Sequence, residues 1–150
     1  MLNPGSLSGA GEYITKDTTL RVLREVFFNT GFNPFIINLF NLATPNTDKL
    51  FEAWSSKDND RFSYSALPID TFKAVLFAYG DYEHDERHGN AVKARIALVK
   101  RHFSAVKEIV IPTNKSGTPK HPIVWQRQRL KKVVHETIAA ENRKLMSDSN

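Results

Sequence analysis

The residues with the clearest potential for chemistry lie in the stretch EHDERH, where His84 and His88 are four positions apart. On a helix this spacing puts both imidazoles on one face, and Asp81 and Asp85 would complete a metal site. The zinc signature with this spacing, however, has glutamate directly after its first histidine, whereas here Asp85 follows His84. Acidic residues are also expected at a helix start, because they complement the helix dipole. We therefore expect helix-start electrostatics here, and the sequence leaves metal binding at His84 and His88 open.

The remaining motifs argue against an enzyme. Asp81 and Glu83 have no second acidic cluster to complete a site for metal-assisted hydrolysis. The serines lack a nucleophile elbow, and GTPK around Gly117 is too short for a phosphate-binding loop. No glycine-rich dinucleotide fingerprint is present, and the absence of cysteine excludes disulfides and thiolate chemistry. The sequence therefore predicts a protein that is not an enzyme and uses no cofactor.

Basic residues are concentrated in one part of the chain. Residues 91–135 hold 11 Lys/Arg against one Asp/Glu, whereas residues 1–90 hold 8 against 12. The formal net charge of +5 thus conceals an acidic body followed by a basic module at 91–135. Charge segregated in this way is typical of a protein with a polyanionic partner.

Nucleic acid is the partner that we predict for this module. Each lysine or arginine that meets a phosphate releases a condensed counterion, and an exposed tryptophan can stack on an unpaired base. Patterns for sequence-specific modules are absent, so we expect contacts to phosphates without strong sequence specificity, and DNA and RNA remain open. The predicted contact residues are Lys93, Arg95, Lys100, Arg101, Lys107, Lys115, Lys120, Trp125, Arg129 and Lys132.

The alternative partner is an acidic protein surface, which needs the same electrostatics. In that interpretation the chain is an assembly subunit of the scaffold or coat type. The acidic surface could belong to the stretch DYEHDERH of a second copy, which would give a head-to-tail homo-oligomer.

The basic residues must be positioned by the two helices that the module predicts. Over residues 91–110, six apolar residues from Val92 to Val110 recur on one face at the period of an α-helix, with basic residues on both shoulders. A final helix over Ile123–Leu145 repeats this arrangement. We expect the two to form an antiparallel hairpin that merges their basic residues into one patch, with Trp125 at its edge.

Four further helices are predicted before the module. The first begins at Asp17 or Thr18 and is ended by Gly31 in a left-handed conformation. A second follows Asn33-Pro34 and is apolar on all sides, which indicates a place in the core. A third, short helix starts at Thr47 or Asp48, and a fourth runs over Ile69–Tyr79 and stops at Gly80.

The sequence thus predicts an all-α protein, a single compact domain of five or six helices at residues 13–150 with a basic C-terminal helical hairpin. Residues 1–12 are rich in Gly, Ser and Asn and are predicted to be a flexible or docked arm. No signal peptide and no apolar run of membrane-spanning length are apparent, so we expect a cytoplasmic or otherwise intracellular protein without a membrane partner.

Overall fold

The computed structural model describes residues 17–40, 49–51 and 66–148. Within these ranges the regular secondary structure is helical. Three α-helices have the bounds Thr18–Phe27 (α1), Gly89–His102 (α2) and Gln128–Ser147 (α3). Residues 49–51 are helical as well, and three 3-10 turns lie at Ile69–Thr71, Tyr82–His84 and Pro122–Gln126. The helical class of the fold is therefore confirmed, but several of the predicted helices are wrong.

Helix α1 follows its sequence signals. Asp17 is the N-cap, and its carboxylate accepts a hydrogen bond from the backbone N–H of Leu20 at 2.9 Å. The left-handed residue beside the C-terminal end is Asn29, with φ of 57°, rather than the predicted Gly31. Gly31 also has positive φ (82°), which favours glycine, and a side chain there would have to displace the side-chain amide of Asn142 on α3.

The predicted helix after Asn33-Pro34 is wrong over its described part, because residues 32–38 form no regular secondary structure. The short helix predicted from Thr47 or Asp48 agrees with the structure at residues 49–51, and Trp54 lies outside the described residues. The predicted helix over Ile69–Tyr79 is also wrong: a 3-10 turn at Ile69–Thr71 is followed by an extended segment that reaches Gly80.

The burial of segment 74–79 on both faces explains why its sequence resembled that of a helix. Its side chains alternate between two hydrophobic cores, because successive residues of an extended chain point to opposite sides. Val75, Phe77 and Tyr79 pack into one core, and Ala74, Leu76 and Ala78 pack into the other. A segment that is covered on both faces is apolar throughout, so its sequence contains helix-like spacings by composition alone.

A parallel β-bridge joins this segment to residues 107–112. Val75 donates its N–H to the carbonyl of Lys107, and Ile109 donates to the carbonyl of Val75, both at 2.8 Å. Among the described residues, no β-ladder is longer than a single bridge. Residues 107–112 are therefore extended, and the predicted helix over 91–110 ends early, at His102.

The two cores divide the helices between them. The first, which we call the α2 core, is built from Leu39, Phe40, Leu50, Phe51, Tyr79, Val92, Ile96, Val99 and Phe103. The second, the α1–α3 core, is built from Val22, Leu23, Val26, Ala78, Ile109, Ile111, Trp125, Val134 and Ile138. Helix α3 packs on α1 and on the turn Pro122–Gln126, and it does not contact α2. The predicted antiparallel hairpin of the two basic helices is therefore wrong, because the segment 74–79 lies between their cores.

None of the helices in the described ranges is long and apolar enough to cross a membrane.

Candidate nucleic-acid interface

Helix α2 presents cations on one exposed face. Lys93, Lys100 and Arg101 are all exposed, and their positions along the helix place them within one side of it. The helix contains no acidic residue, and among the described residues no carboxylate lies within ion-pair distance of Lys93 or Arg101. Lys100 Nζ lies 5.4 Å from the ring centre of Phe77 and 6.0 Å from that of Tyr79, which holds the ammonium over two aromatic rings. We call Lys93, Lys100 and Arg101 the α2 basic face.

Arg95, which was predicted to contact phosphate, is instead buried. Its side chain turns toward the α2 core, and its Nε donates a 2.7 Å hydrogen bond to the carbonyl of Leu39. The reason lies in the helical wheel: Arg95 is only about 60° from Val92, the centre of the apolar stripe, at 100° per residue. Its charge therefore serves a structural contact with a distant segment rather than the surface.

Trp125 was predicted at the edge of the patch, and this placement is wrong. Its exposed fraction is 0%, and it packs in the α1–α3 core. The turn Pro122–Gln126 is a 3-10 helix rather than the start of an α-helix, so the predicted helical wheel does not apply to it. Within the described residues, the indole N–H has no hydrogen-bond acceptor in its buried position. A side chain enclosed in this way cannot stack on a base.

Three predicted contact residues lie outside the helices. Lys107 is exposed on the extended segment beside Val75, and Lys115 is exposed in a turn. Lys120 is half-buried, and its ammonium donates to the carbonyl of Thr113 at the base of the same turn. Lys107 and Lys115 thus remain available at the surface, whereas Lys120 stabilises its own loop.

The basic residues of α3 are largely neutralised. Arg129 and Lys132 are exposed as predicted, but Lys132 lies 3.8 Å from Glu136. Lys131 binds Glu25 of α1 at 2.6 Å, and Lys144 binds Glu141 at 2.5 Å. The hydrogen bond from each lysine holds the pKa of Glu25 and of Glu141 below its usual value. These pairs reduce the positive potential that α3 presents to solvent.

Asp81 has a different role from the ones that its sequence context suggested. Its Oδ1 accepts hydrogen bonds from Ser116 Oγ at 2.6 Å and Thr118 Oγ1 at 2.7 Å, and Asn114 Nδ2 donates to Thr118 Oγ1 at 2.9 Å. The two hydroxyl donors lower the pKa of Asp81. These hydrogen bonds hold the 113–120 loop against the end of the extended segment at Gly80. No motif signals this network, because Asp81 is more than 30 positions from the other members.

The two histidines of EHDERH lie in different environments. His84 ends a 3-10 turn, and its Nε2 is 3.9 Å from Asp81 and 3.7 Å from Glu83. His88 precedes α2 and stacks on Phe51, with ring centres 4.2 Å apart. They therefore do not share one helical face, and the described residues include no group of three His, Asp or Glu arranged to hold a metal ion.

Comparison with known proteins identifies the family. Residues 1–123 match the model of the family described as "Protein of unknown function (DUF1643)". The match covers most of the chain, so this protein belongs to that family. It includes α1, both extended segments and the α2 basic face, and it ends before α3. The chain has no match among curated proteins or among solved structures.

Proposed function

We propose that this protein binds nucleic acid by contacting phosphates through the α2 basic face, without strong sequence specificity. The observation that carries the proposal is that Lys93 and Arg101 are exposed on a helix that contains no acidic residue. A solvated helix normally carries carboxylates three or four positions from its cations, and these neutralise the face. Here that compensation is missing within the helix itself.

The energetics of phosphate binding suit such a surface. Each cation that meets a phosphate of duplex DNA releases about 0.9 of a condensed counterion, so affinity falls steeply as salt rises. Lys107 and Lys115 are exposed on the segments that follow α2, and they can add phosphate contacts. Arg129 and Lys132 contribute less, since α3 carries its own carboxylates and Lys132 is paired with Glu136.

A charge-reversal experiment tests the proposal. The variant Lys93→Glu/Arg101→Glu removes two cations from the α2 basic face, and Arg143→Glu/Lys144→Glu makes the same change of net charge on α3. We expect the α2 variant to weaken binding to unrelated DNA and RNA sequences about equally. Its plot of log affinity against log salt should be flatter by about two units, one for each lost contact. Fluorescence anisotropy with labelled oligonucleotides measures both quantities.

The control variant distinguishes an effect of the α2 basic face from an effect of the total charge of the protein. We expect Arg143→Glu/Lys144→Glu to retain most of the affinity, because Lys144 is already paired with Glu141. Both variants should keep their stability within about 0.5 kcal/mol, as these side chains are exposed. Equal losses in the two variants would assign binding to net charge alone and would contradict the proposal.

The competing class of partner is an acidic protein surface. Asp85 and Glu86 are exposed on the segment before α2, so a second copy could offer them to the α2 basic face. Light scattering at several salt concentrations detects such self-association. If the unmodified protein fails to shift either DNA or RNA at about 50 mM salt, where phosphate contacts are strong, the nucleic-acid proposal is wrong and the partner is a protein.

A further inference from the structure

Two phenylalanines beside the end of α1 are unusually exposed. The exposed fraction is 68% for Phe28, directly after α1, and 63% for Phe35, which lies in the irregular segment 32–38. Phe35 is held in place by the ring of Phe72, with centres 5.8 Å apart. Each ring therefore offers an apolar face to solvent, although burial of a phenylalanine normally stabilises a fold by about 1.5–3 kcal/mol.

Both rings lie along one groove. A cavity of about 600 Å³ runs between the last turn of α1 and residues 31–34, and Phe28 lines it. A second cavity, of about 470 Å³, continues between residues 31–39 and 71–79 and contains Phe35 and Phe72 in its lining. The two share Phe27, Phe32 and several of their neighbours, so they form one continuous depression. We call it the aromatic groove.

The charged side chains that line the groove are of one sign in the described part of the chain. Arg24 lines the α1 end, and Lys73 lines the end near Phe35. Both side chains belong to exposed residues, and no acidic residue lines either cavity among the residues that the structure describes. Asn29 and Asn33 add amide groups that can hydrogen-bond to a polar ligand. A surface with exposed aromatic rings between cations matches a chain that carries anionic groups and flat apolar rings in alternation.

We propose that the aromatic groove binds a single-stranded nucleic acid, with unpaired bases stacked on Phe28 and Phe35 and phosphates near Arg24 and Lys73. Base–aromatic stacking accepts every base, because each base has a π face. A duplex cannot use the groove in this way, since the faces of its bases are already covered by the adjacent base pairs. This inference rests on the proposed function for the class of partner, and it adds a second surface and a preference for unpaired strands.

The test compares one strand in two states. A fluorescein-labelled strand of about 15 nucleotides without self-complementarity, long enough for a site of this kind, is titrated alone and after annealing to its complement. We expect tighter binding of the single strand. The variant Phe28→Ala/Phe35→Ala should lose at least about tenfold in single-strand affinity and should keep its duplex affinity and salt dependence, because stacking involves no counterion release.

Two further variants distinguish stacking from general effects. Phe28→Tyr/Phe35→Tyr retains both π faces and should bind the single strand like the unmodified protein, whereas Phe28→Leu/Phe35→Leu retains apolar bulk and should be as defective as the alanine variant. Tyr82→Ala removes an aromatic ring that is 37% exposed outside the groove, and it should have no effect. Urea unfolding of each variant confirms that the fold is intact.

The outcomes separate this inference from the proposed function. Unchanged single-strand affinity in Phe28→Ala/Phe35→Ala, together with weaker binding in Lys93→Glu/Arg101→Glu, would overturn the groove and retain the α2 basic face. The reverse pattern would retain the groove and overturn the α2 basic face. Equal affinity of the unmodified protein for single strand and duplex would also overturn the groove, and no binding to either would overturn both proposals.

Discussion

Helices α2 and α3 are both rich in basic residues, yet the structure gives them different electrostatic surfaces. α2 has four Lys/Arg and no Asp/Glu, and one of the four, Arg95, is buried against Leu39. α3 has five Lys/Arg and two Asp/Glu, and three of its lysines lie beside carboxylates. The number of basic residues is therefore a poor guide to a binding surface. Arg129 and Arg143 of α3 also lack a paired carboxylate among the described residues, but α2, unlike α3, contains no acidic residue, which is why we propose that a polyanion binds on α2.

The two helices also belong to separate cores, and mutations in each core test this separation. Phe103→Ala empties a site in the α2 core, where Phe103 is 4% exposed, and should lower the free energy of unfolding by about 3–5 kcal/mol. Ile138→Ala in the α1–α3 core should cost about 2–5 kcal/mol. Urea denaturation measures both losses.

The double variant shows whether the cores are independent. Because Phe103 and Ile138 belong to different clusters with no shared partners, the two losses should add within about 0.5 kcal/mol. A larger coupling energy would show that α2 and α3 stabilise each other directly, which contradicts their separation by the segment 74–79.

Mild acid should weaken the attachment of α3 more than that of α2. Burial lowers the pKa of His121, in the loop that leads to α3, from 6.5 to about 4. Between these values the unfolded chain binds a proton that the folded chain excludes, so the contribution is complete above pH 6.5 and is lost as pH falls toward 4. The loss amounts to at most about 3 kcal/mol. Urea unfolding at pH 7, 5.5 and 4.5 should show it.

A conservative variant isolates this titration from those of the carboxylates. His121 Nδ1 accepts a 3.3 Å hydrogen bond from the N–H of Ile123, and the amide oxygen of His121→Asn can accept in its place. The asparagine variant should therefore keep the turn Pro122–Gln126 but lose the part of the acid sensitivity that lies between pH 6.5 and 4. The same acid sensitivity in both proteins would contradict burial of a neutral imidazole.

The smallest expected effect sharpens the electrostatic comparison. Glu136→Gln/Glu141→Gln removes the carboxylates of α3 and should make its surface resemble that of α2. Stability should change by less than about 1 kcal/mol, since each pair is at least partly exposed. Nucleic-acid binding should strengthen and become more dependent on salt, as Lys132 and Lys144 gain access to phosphates. No increase in the salt dependence would mean that α3 does not face the bound nucleic acid.

The candidate site was predictable only in part. The exposed positions of Lys93, Lys100 and Arg101 follow from helical periodicity, because the apolar stripe of α2 fixes the outward face. Phe28 and Phe35 carry no such signal, since phenylalanine in an apolar stretch is normally assigned to a core. The predicted exposure of Trp125 was wrong for a different reason. A helical wheel of α-helical period, extended through a 3-10 turn, places Trp125 on the wrong face.

The sequence by itself determined α1, most of α2 and α3, and the basic module, because caps, apolar stripes and charge are local properties of the chain. Only the tertiary structure decided that residues 32–38 are not helical and that residues 74–79 are extended. Local preference does not separate a helix from an extended segment when nearly every residue is apolar, as at 74–79, so burial on both faces settles the conformation there. The same holds for charge: Arg95 faces Leu39 and Lys131 faces Glu25, and each partner is more than 50 positions away. No local pattern encodes partners at that distance, and packing alone brings them together.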